Sequence, residues 1–206
     1  MVKKTPMTDT TPDMIDAVFD ISGETLPAAY PAALWDALIH HAPVLKEDSM
    51  VGVLPIKAAN GAGGMLLPKR AKLVLRIPAH LTTLIESLAG KSLEVSPTTL
   101  QLGSGKLRPI QPYPTLHAHL VTGHRDEAIF VQEVTARLAE LGVLGKLICG
   151  MRNRVDTPDH TIHGYSLVIH DLKPDASLRL QYTGLGTDRR YGCGIFVPHK
   201  AISDLD

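Results

Sequence analysis

The sequence predicts an α+β protein built of two tandem ferredoxin-like (RRM-like) units, each βαββαβ, with a C-terminal glycine-rich loop. Three observations predict it. Apolar residues recur with period two in some stretches and at helical spacing in others, and in chain order these give strand, helix, strand, strand, helix, strand, twice. A glycine- and proline-rich stretch, 103–114 (GSGKLRPIQPYP), falls between the two runs. The composition is that of a folded chain, with 44% of the 206 residues hydrophobic and 20% charged. A chain of this length buries about 70% of its unfolded surface and needs no disulfide or metal staple. The two halves share no obvious residue identity, so the repeat is one of architecture.

The elements follow in order. Residues 14–23 (MIDAVFDISG) alternate Ile15, Ala17 and Phe19 against Asp16 and Asp20, a strand. A helix runs over 30–46: Pro31 suits its first turn, Leu34, Trp35, Leu38, Ile39 and Ala42 form its apolar stripe, and Pro43 marks its end. Residues 51–57 (VGVLPIK) are a strand and 60–64 (NGAGG) a turn. In the strand 69–78, Leu73, Leu75 and Ile77 alternate with Lys72, Val74 and Arg76. A short helix at 80–89 stops at Gly90, and 92–102 is strand around a turn at Ser96 and Pro97. The stretch 103–114 is the linker. Beyond it, 115–123 is a strand, and 126–141 is a helix with Ile129, Val131, Val134, Leu138 and Leu141 facing inward and acidic residues at its start. Strands at 146–154 and 161–172 flank a polar turn at 156–160. A helix over 173–183 starts at Pro174, and a last strand spans 192–199. The expected divisions are a mobile N-terminus at 1–13, a first domain at 14–112 and a second at 113–206, with a mobile acidic end at 203–206.

Charge and cysteine content narrow the function classes. Lys plus Arg and Asp plus Glu both number 21, so the net charge is zero. This excludes a strongly basic polyelectrolyte binder and leaves room for a local basic patch. Two cysteines do not make a secreted disulfide scaffold. No signal peptide and no membrane-length apolar run is present, so the expected compartment is the cytoplasm and no membrane partner is expected.

The most specific local segment is 184–200, GLGTDRRYGCGIFVPHK. Gly184, Gly186, Gly192 and Gly194 flank Arg189 and Arg190. Glycines let backbone approach a phosphate, and arginines offer planar donors to its oxygens; a flexible hairpin loop gives the same pattern. It is neither a P-loop nor a Rossmann turn. Basic candidates elsewhere are Lys57, Lys69, Arg70, Lys72, Arg108, Arg152 and Arg154, the last two sharing one side of a strand. With three Phe, one Trp and five Tyr, aromatic stacking platforms are scarce, which favours duplex recognition by shape and phosphate contacts. Ten histidines raise the question of a metal. His117 with His119 and His160 with His163 are close pairs, but no CxxC or HExxH spacing occurs, and no metal site is assigned.

The segment 184–200 closely resembles the C-terminal glycine-rich signature of the CRISPR-associated repeat-processing endoribonucleases, the Cas-six family, in its Myxococcus-type branch. FDISGETLPAAYPAALWDALIHHAPVLKEDSMVGVLPIK is similar to that branch's opening strand, helix and second strand. LEVSPTTLQLGSGKLRPIQPYPTLHAHLV is similar to its fourth strand and linker. The resemblance spans most of the chain from about residue 14 and agrees with the tandem architecture read from periodicity. It implies an enzyme without metal or cofactor that binds the stem-loop of a CRISPR precursor transcript and cuts once per repeat. The attacking group would be the ribose 2′-hydroxyl, and the products a 2′,3′-cyclic phosphate and a 5′-hydroxyl. Other subunits of a CRISPR effector complex are further implied partners.

The family places a catalytic histidine in or just after the first helix, where this chain has His40, His41 and then Lys46. His41 lies near the apolar stripe, at i+3 from Leu38 and i+7 from Leu34. His40, i+4 from Asp36, lies on a more polar face and is favoured. The resemblance also leads one to expect a histidine near the end of LKED, where this chain has Lys46. That departure keeps open a subunit that holds repeat or guide RNA without cutting it. Tyr30, at the helix start, is an additional candidate donor.

Overall fold

The computed structural model describes residues 13–61 and 64–199. The expected mobile ends therefore fall outside the described residues, apart from Asp13, whose carbonyl accepts from the Ala79 amide at 2.8 Å. The central residues of the turn at 60–64 are likewise outside them.

In the first half the strands are β1 (Met14–Ser22), β2 (Thr25–Leu26), β3 (Gly52–Val53), β4 (Ala59–Gly61), β5 (Gly64–Leu66), β6 (Lys72–Pro78), β7 (Ser92–Val95) and β8 (Thr98–Pro109). The helices are α1 (Tyr30–His41) and α2 (Leu84–Leu88). The second half contains β9 (Leu116–Thr122), α3 (Glu127–Glu140), β10 (Lys146–Asp156), β11 (Thr161–His170), α4 (Pro174–Thr183) and β12 (Val197–Pro198).

Two antiparallel sheets carry the fold. The first runs β3-β6-β1-β8-β7 and the second β10-β11-β9-β12. Counted within its own half, each places the first strand centrally, with the third on one side, the second outside the third, and on the other side the last strand, which in the first sheet is β8 with its hairpin partner β7 beyond it. This is the ferredoxin-like order, and the chain is two ferredoxin-like domains, as the periodicity predicts. A small sheet, β2-β5-β4, is added to the first half.

Each sheet packs its own core. Phe19, Leu34, Leu38, Leu73, Leu75, Ile77 and Leu100 belong to the first. Leu116, Ala118, Phe130, Val134, Leu167, Ile169 and Phe196 belong to the second. In α3 Val134 and Leu138 of the expected stripe are buried and Val131 and Leu141 pack against the core, while Ile129 is 42% exposed and Phe130 takes its place inside.

Several boundaries differ from expectation for identifiable reasons. The first helix stops at His41, because Ala42 leaves helical dihedrals (φ −139°, ψ 76°) and Pro43 cannot donate an amide; Pro43–Glu47 form a separate 3₁₀ turn. The strand at 51–57 is reduced to Gly52–Val53 ahead of Pro55. The short helix at 80–89 divides into a 3₁₀ turn, Ala79–Leu81, and α2. The reading of 103–114 as linker is wrong up to Pro109: β8 stays paired with β1 as far as Ile15 opposite Pro109. Its glycines serve close packing. A Cβ on Gly105 would lie 2.6 Å from the Phe19 ring. The last strand shrinks to Val197–Pro198, because Gly192 and Gly194 hold φ of 87° and 68° and curl the chain away from the sheet.

Candidate functional site

The C-terminal end of α1 presents two adjacent histidines whose rings meet edge-on at 5.1 Å. They line a shallow groove with Ala37, Ser92 and Glu94, between α1 and β7. His40 is exposed. His41 is half-buried, and its Nε2 lies 3.0 Å from the Ser92 carbonyl oxygen. A carbonyl only accepts, so Nε2 carries a proton, and in the neutral ring Nδ1 keeps its lone pair. Ser92 is itself held: its hydroxyl donates to Gln101 Oε1 at 2.6 Å, and Gln101 Nε2 donates to the Gly90 carbonyl at 3.0 Å. This support reaches His41 from β8, and nothing in the local sequence signals it.

Lys46 stands exposed on the 3₁₀ turn just after the helix. Tyr30 is not brought to this group. It begins α1, about 16 Å of helix from His41. It is buried, and its hydroxyl accepts from the Ile56 amide at 2.9 Å. Burial pushes its pKa up. Tyr30 thus pins the loop after β3 and does not reach the groove.

The glycine-rich segment packs back on the molecule. A Cβ on Gly186 would lie 2.4 Å from Thr122 Oγ1, and one on Gly194 2.0 Å from the Leu185 carbonyl oxygen. Its two arginines part company. Arg189, expected as a phosphate contact, is only 8% exposed; its Nε donates to the Met50 carbonyl at 3.1 Å and its Nη1 to the Thr183 carbonyl at 2.9 Å. Burial, then the nearby Arg76 charge, lowers its pKa to about 10. Arg190 faces outward over the Tyr191 ring at 4.8 Å, with Asp188 Oδ1 at 3.9 Å.

The remaining basic candidates are exposed but scattered. Lys57, Lys69 and Arg70 lie beside the small sheet. Lys72 pairs with Asp20, and Arg108 with Asp16 at 3.1 Å, so neighbours on β1 offset part of that charge. On β10, Arg154 reaches Asp156 at 3.4 Å, while Arg152 has no ion pair among the described residues. Sequence reasoning missed Lys106, which lines a groove with Val18, Asp20, Lys72 and Ser104. It also missed Arg76, which strand alternation put outside and the structure buries at 1% exposure. Of the histidine pairs, His117 approaches His199, with ring centroids 5.3 Å apart. Among the described residues no group of three or more His, Cys, Asp or Glu side chains is arranged to hold a metal ion. No helix among them is long and apolar enough to cross a membrane.

A family model described as "Cas6 Crispr" matches residues 15–201. The chain belongs to the Cas6 family. It is 33% identical over 186 residues to the CRISPR-associated endonuclease Cas6 of Myxococcus xanthus, covering 89% of this chain and 81% of that one. That relative also agrees with the branch the sequence resembles. Among solved structures, one described as a Cas6-related gene from Pyrococcus furiosus superposes with a TM-score of 0.67 at 11% identity, over 91% of this chain and 99% of that one. Another, described as CRISPR endoribonuclease Cse3 bound to 19 nt RNA, gives 0.53 at 13% identity, over 90% and 98%. At such identities these likenesses establish the Cas6-type fold. The histidine groove and the glycine-rich segment both lie inside the matched region.

Proposed function

We propose that this Cas6-family chain cuts CRISPR precursor RNA within its repeats, with the adjacent ribose 2′-hydroxyl as nucleophile and no metal ion in the chemistry. The observation that carries the reading is His41, fixed by the Ser92 carbonyl with its Nδ1 lone pair free at the mouth of a groove. In the reading, Nδ1 takes the 2′-hydroxyl proton and O2′ attacks phosphorus. The P–O5′ bond breaks, and the departing oxygen takes a proton from His40, its ring 5.1 Å away. Lys46 places positive charge beside the phosphorane. The products are a 2′,3′-cyclic phosphate and a 5′-hydroxyl, and the released piece is the guide RNA. This order of roles makes His41 the base, because its ring is fixed, where the sequence reading favours His40 as the catalytic histidine and assigns neither as base.

Recognition falls to the outward basic groups, Arg190, Arg152, Arg154, Lys57, Lys69, Arg70, Lys72 and Arg108, acting on the phosphates of a repeat stem-loop. Gly186 contributes by bringing the glycine-rich backbone close. The cytoplasm is the compartment that suits the two free cysteines. Other effector-complex subunits are the proposed protein partners.

The test is a cleavage assay in EDTA on the cognate repeat RNA, with all-ribose and single 2′-deoxy substrates. The expected result is cutting of the all-ribose RNA alone, with His41→Ala slowing it about 10²–10⁴-fold at unchanged affinity. Tight binding with no cutting would establish the second reading, a guide-holding subunit, which Lys46 in place of the family's histidine favours.

A further inference from the structure

The buried arginine of the glycine-rich segment has no part in the chemistry above, yet among the described residues it is the side chain of that segment that hydrogen-bonds across to the first domain. Arg189 reaches from a 3₁₀ turn, Arg189–Tyr191, to the carbonyl of Met50. Met50 lies in the loop that follows the 3₁₀ turn carrying Lys46. That loop is itself ordered: the Met50 amide donates to Asp48 Oδ1 at 2.8 Å, and the Val51 amide to the Asp48 carbonyl at 3.2 Å. The other arm of the fork donates to the Thr183 carbonyl at the end of α4.

The surroundings are cut to fit this side chain. Gly184 has φ +68°, and a Cβ there would sit 2.2 Å from Arg189 Nη1. A Cβ on Gly52 would meet Ile195 at 2.6 Å, with Arg189 Nε at 3.6 Å, and one on Gly192 would meet Pro55 at 3.0 Å. A guanidinium is costly to bury. What this one gains is a rigid planar fork that bonds two separate chain segments at once, which a lysine cannot reproduce.

We infer that Arg189 is a positioning residue. It fixes the glycine-rich segment, and with it the outward Arg190, against the loop behind Lys46 and the histidine groove. RNA held by Arg190 is thereby registered on the groove. The effect on cutting rests on the function proposed above; the structural role does not.

Three measurements test it on the full chain. In the wild-type protein, phenylglyoxal should label Arg190 and spare Arg189 without RNA, and repeat RNA should protect Arg190. Labelling of Arg189 that RNA abolishes would overturn the inference, and this arm needs no variant to fold. Next, repeat-RNA affinity is followed against salt. Arg190→Ala should lower the slope of log K against log salt by about one, the loss of one phosphate contact. Arg189→Lys should leave the slope and the affinity within about twofold of wild type. Last, at saturating RNA, Arg189→Lys should cut about tenfold more slowly, with an undiminished reactive fraction. A merely structural role would instead reduce the fraction that reacts. Full cutting speed in Arg189→Lys would show that charge alone suffices and would sink the inference. If the wild-type protein binds but does not cut, labelling and salt slope still decide the role of Arg189, and the failure belongs to the proposed nuclease reading.

Discussion

Adjacent residues of one type can face different physics. His40 and His41 are neighbours, yet a single carbonyl fixes the ring of one and leaves the other exposed. His117 shows the same dependence on setting. Partial burial lowers its pKa, and the nearby His199 and His119 lower it further. The unfolded chain, with histidine near its ordinary value of about 6.5, therefore binds more protons than the folded one as the pH falls below that value. The contribution is neutral above that value, turns destabilising as pH falls through it, and levels off once pH is below the lowered folded pKa. Urea midpoints should accordingly drop between pH 7.5 and 5.0, and drop less in His117→Asn. Equal drops in both proteins would assign the effect to other groups. Cys193 is a second case, with its thiol pushed up to about 12 by burial. It is 0% exposed, so an alkylating reagent should reach it only on unfolding, while the half-buried Cys149 reacts in the native protein.

Elements were legible in the sequence where one face decides them and obscure where contact from elsewhere does. The stripe Leu34, Trp35, Leu38 of α1 and the alternation Leu73, Leu75, Ile77 of β6 read directly, because each faces a single core. Arg76 belongs to that same alternation, and it is buried because the second domain covers the sheet face on which it lies. No period in the first domain could report that. Gly103 and Gly105 looked like linker because a glycine that opens a turn and one that admits the Phe19 ring are the same letter. In the site, the histidines and Lys46 stood out by residue type and resemblance, whereas Ser92 enters through its carbonyl, which every residue has. The start of α3 was a readable boundary. Asp126 caps α3, its carboxylate accepting from the Ala128 and Ile129 amides at 3.0 and 3.1 Å. Asp126→Ala leaves two amides uncapped in the first turn and should cost about 1 kcal/mol, within a range of roughly 0.5–2. Thermal unfolding checks this, and an unchanged midpoint would mean that water replaces the cap at no loss.

Across the whole molecule, two domains with separate cores act together only through what crosses between them, and here arginines cross in both directions. Arg189 reaches from the second domain to Met50. Arg76 reaches from the first, with Nη1 donating to the Gln181 carbonyl at 3.1 Å and to the Phe196 carbonyl at 2.6 Å. Its other edge makes a two-bond pair with Asp16, Nε to Oδ1 at 2.9 Å and Nη2 to Oδ2 at 3.3 Å. Arg108 supports Asp16 from the solvent side at 3.1 Å. The connecting chain is fastened to the same helix: Ser177 Oγ donates to the Tyr113 carbonyl at 2.7 Å, and Gln181 Nε2 to that of Gln111 at 2.8 Å. Removing Arg76 would leave Asp16 with the half-exposed Arg108 and strand two buried carbonyls. The loss should be about 3–5 kcal/mol, the scale for breaking a buried pair from one side. Because the two bonds to the Gln181 and Phe196 carbonyls lie between the domains and not inside either core, Arg76→Ala should also divide one calorimetric transition into two. Asp16→Leu combined with Arg76→Met removes both charges and should recover part of the stability, though not the single transition, since the carbonyls of Gln181 and Phe196 still lack their donor. One cooperative transition at the wild-type midpoint in Arg76→Ala would mean that the domains are coupled by packing alone, and that the buried guanidinium merely balances Asp16.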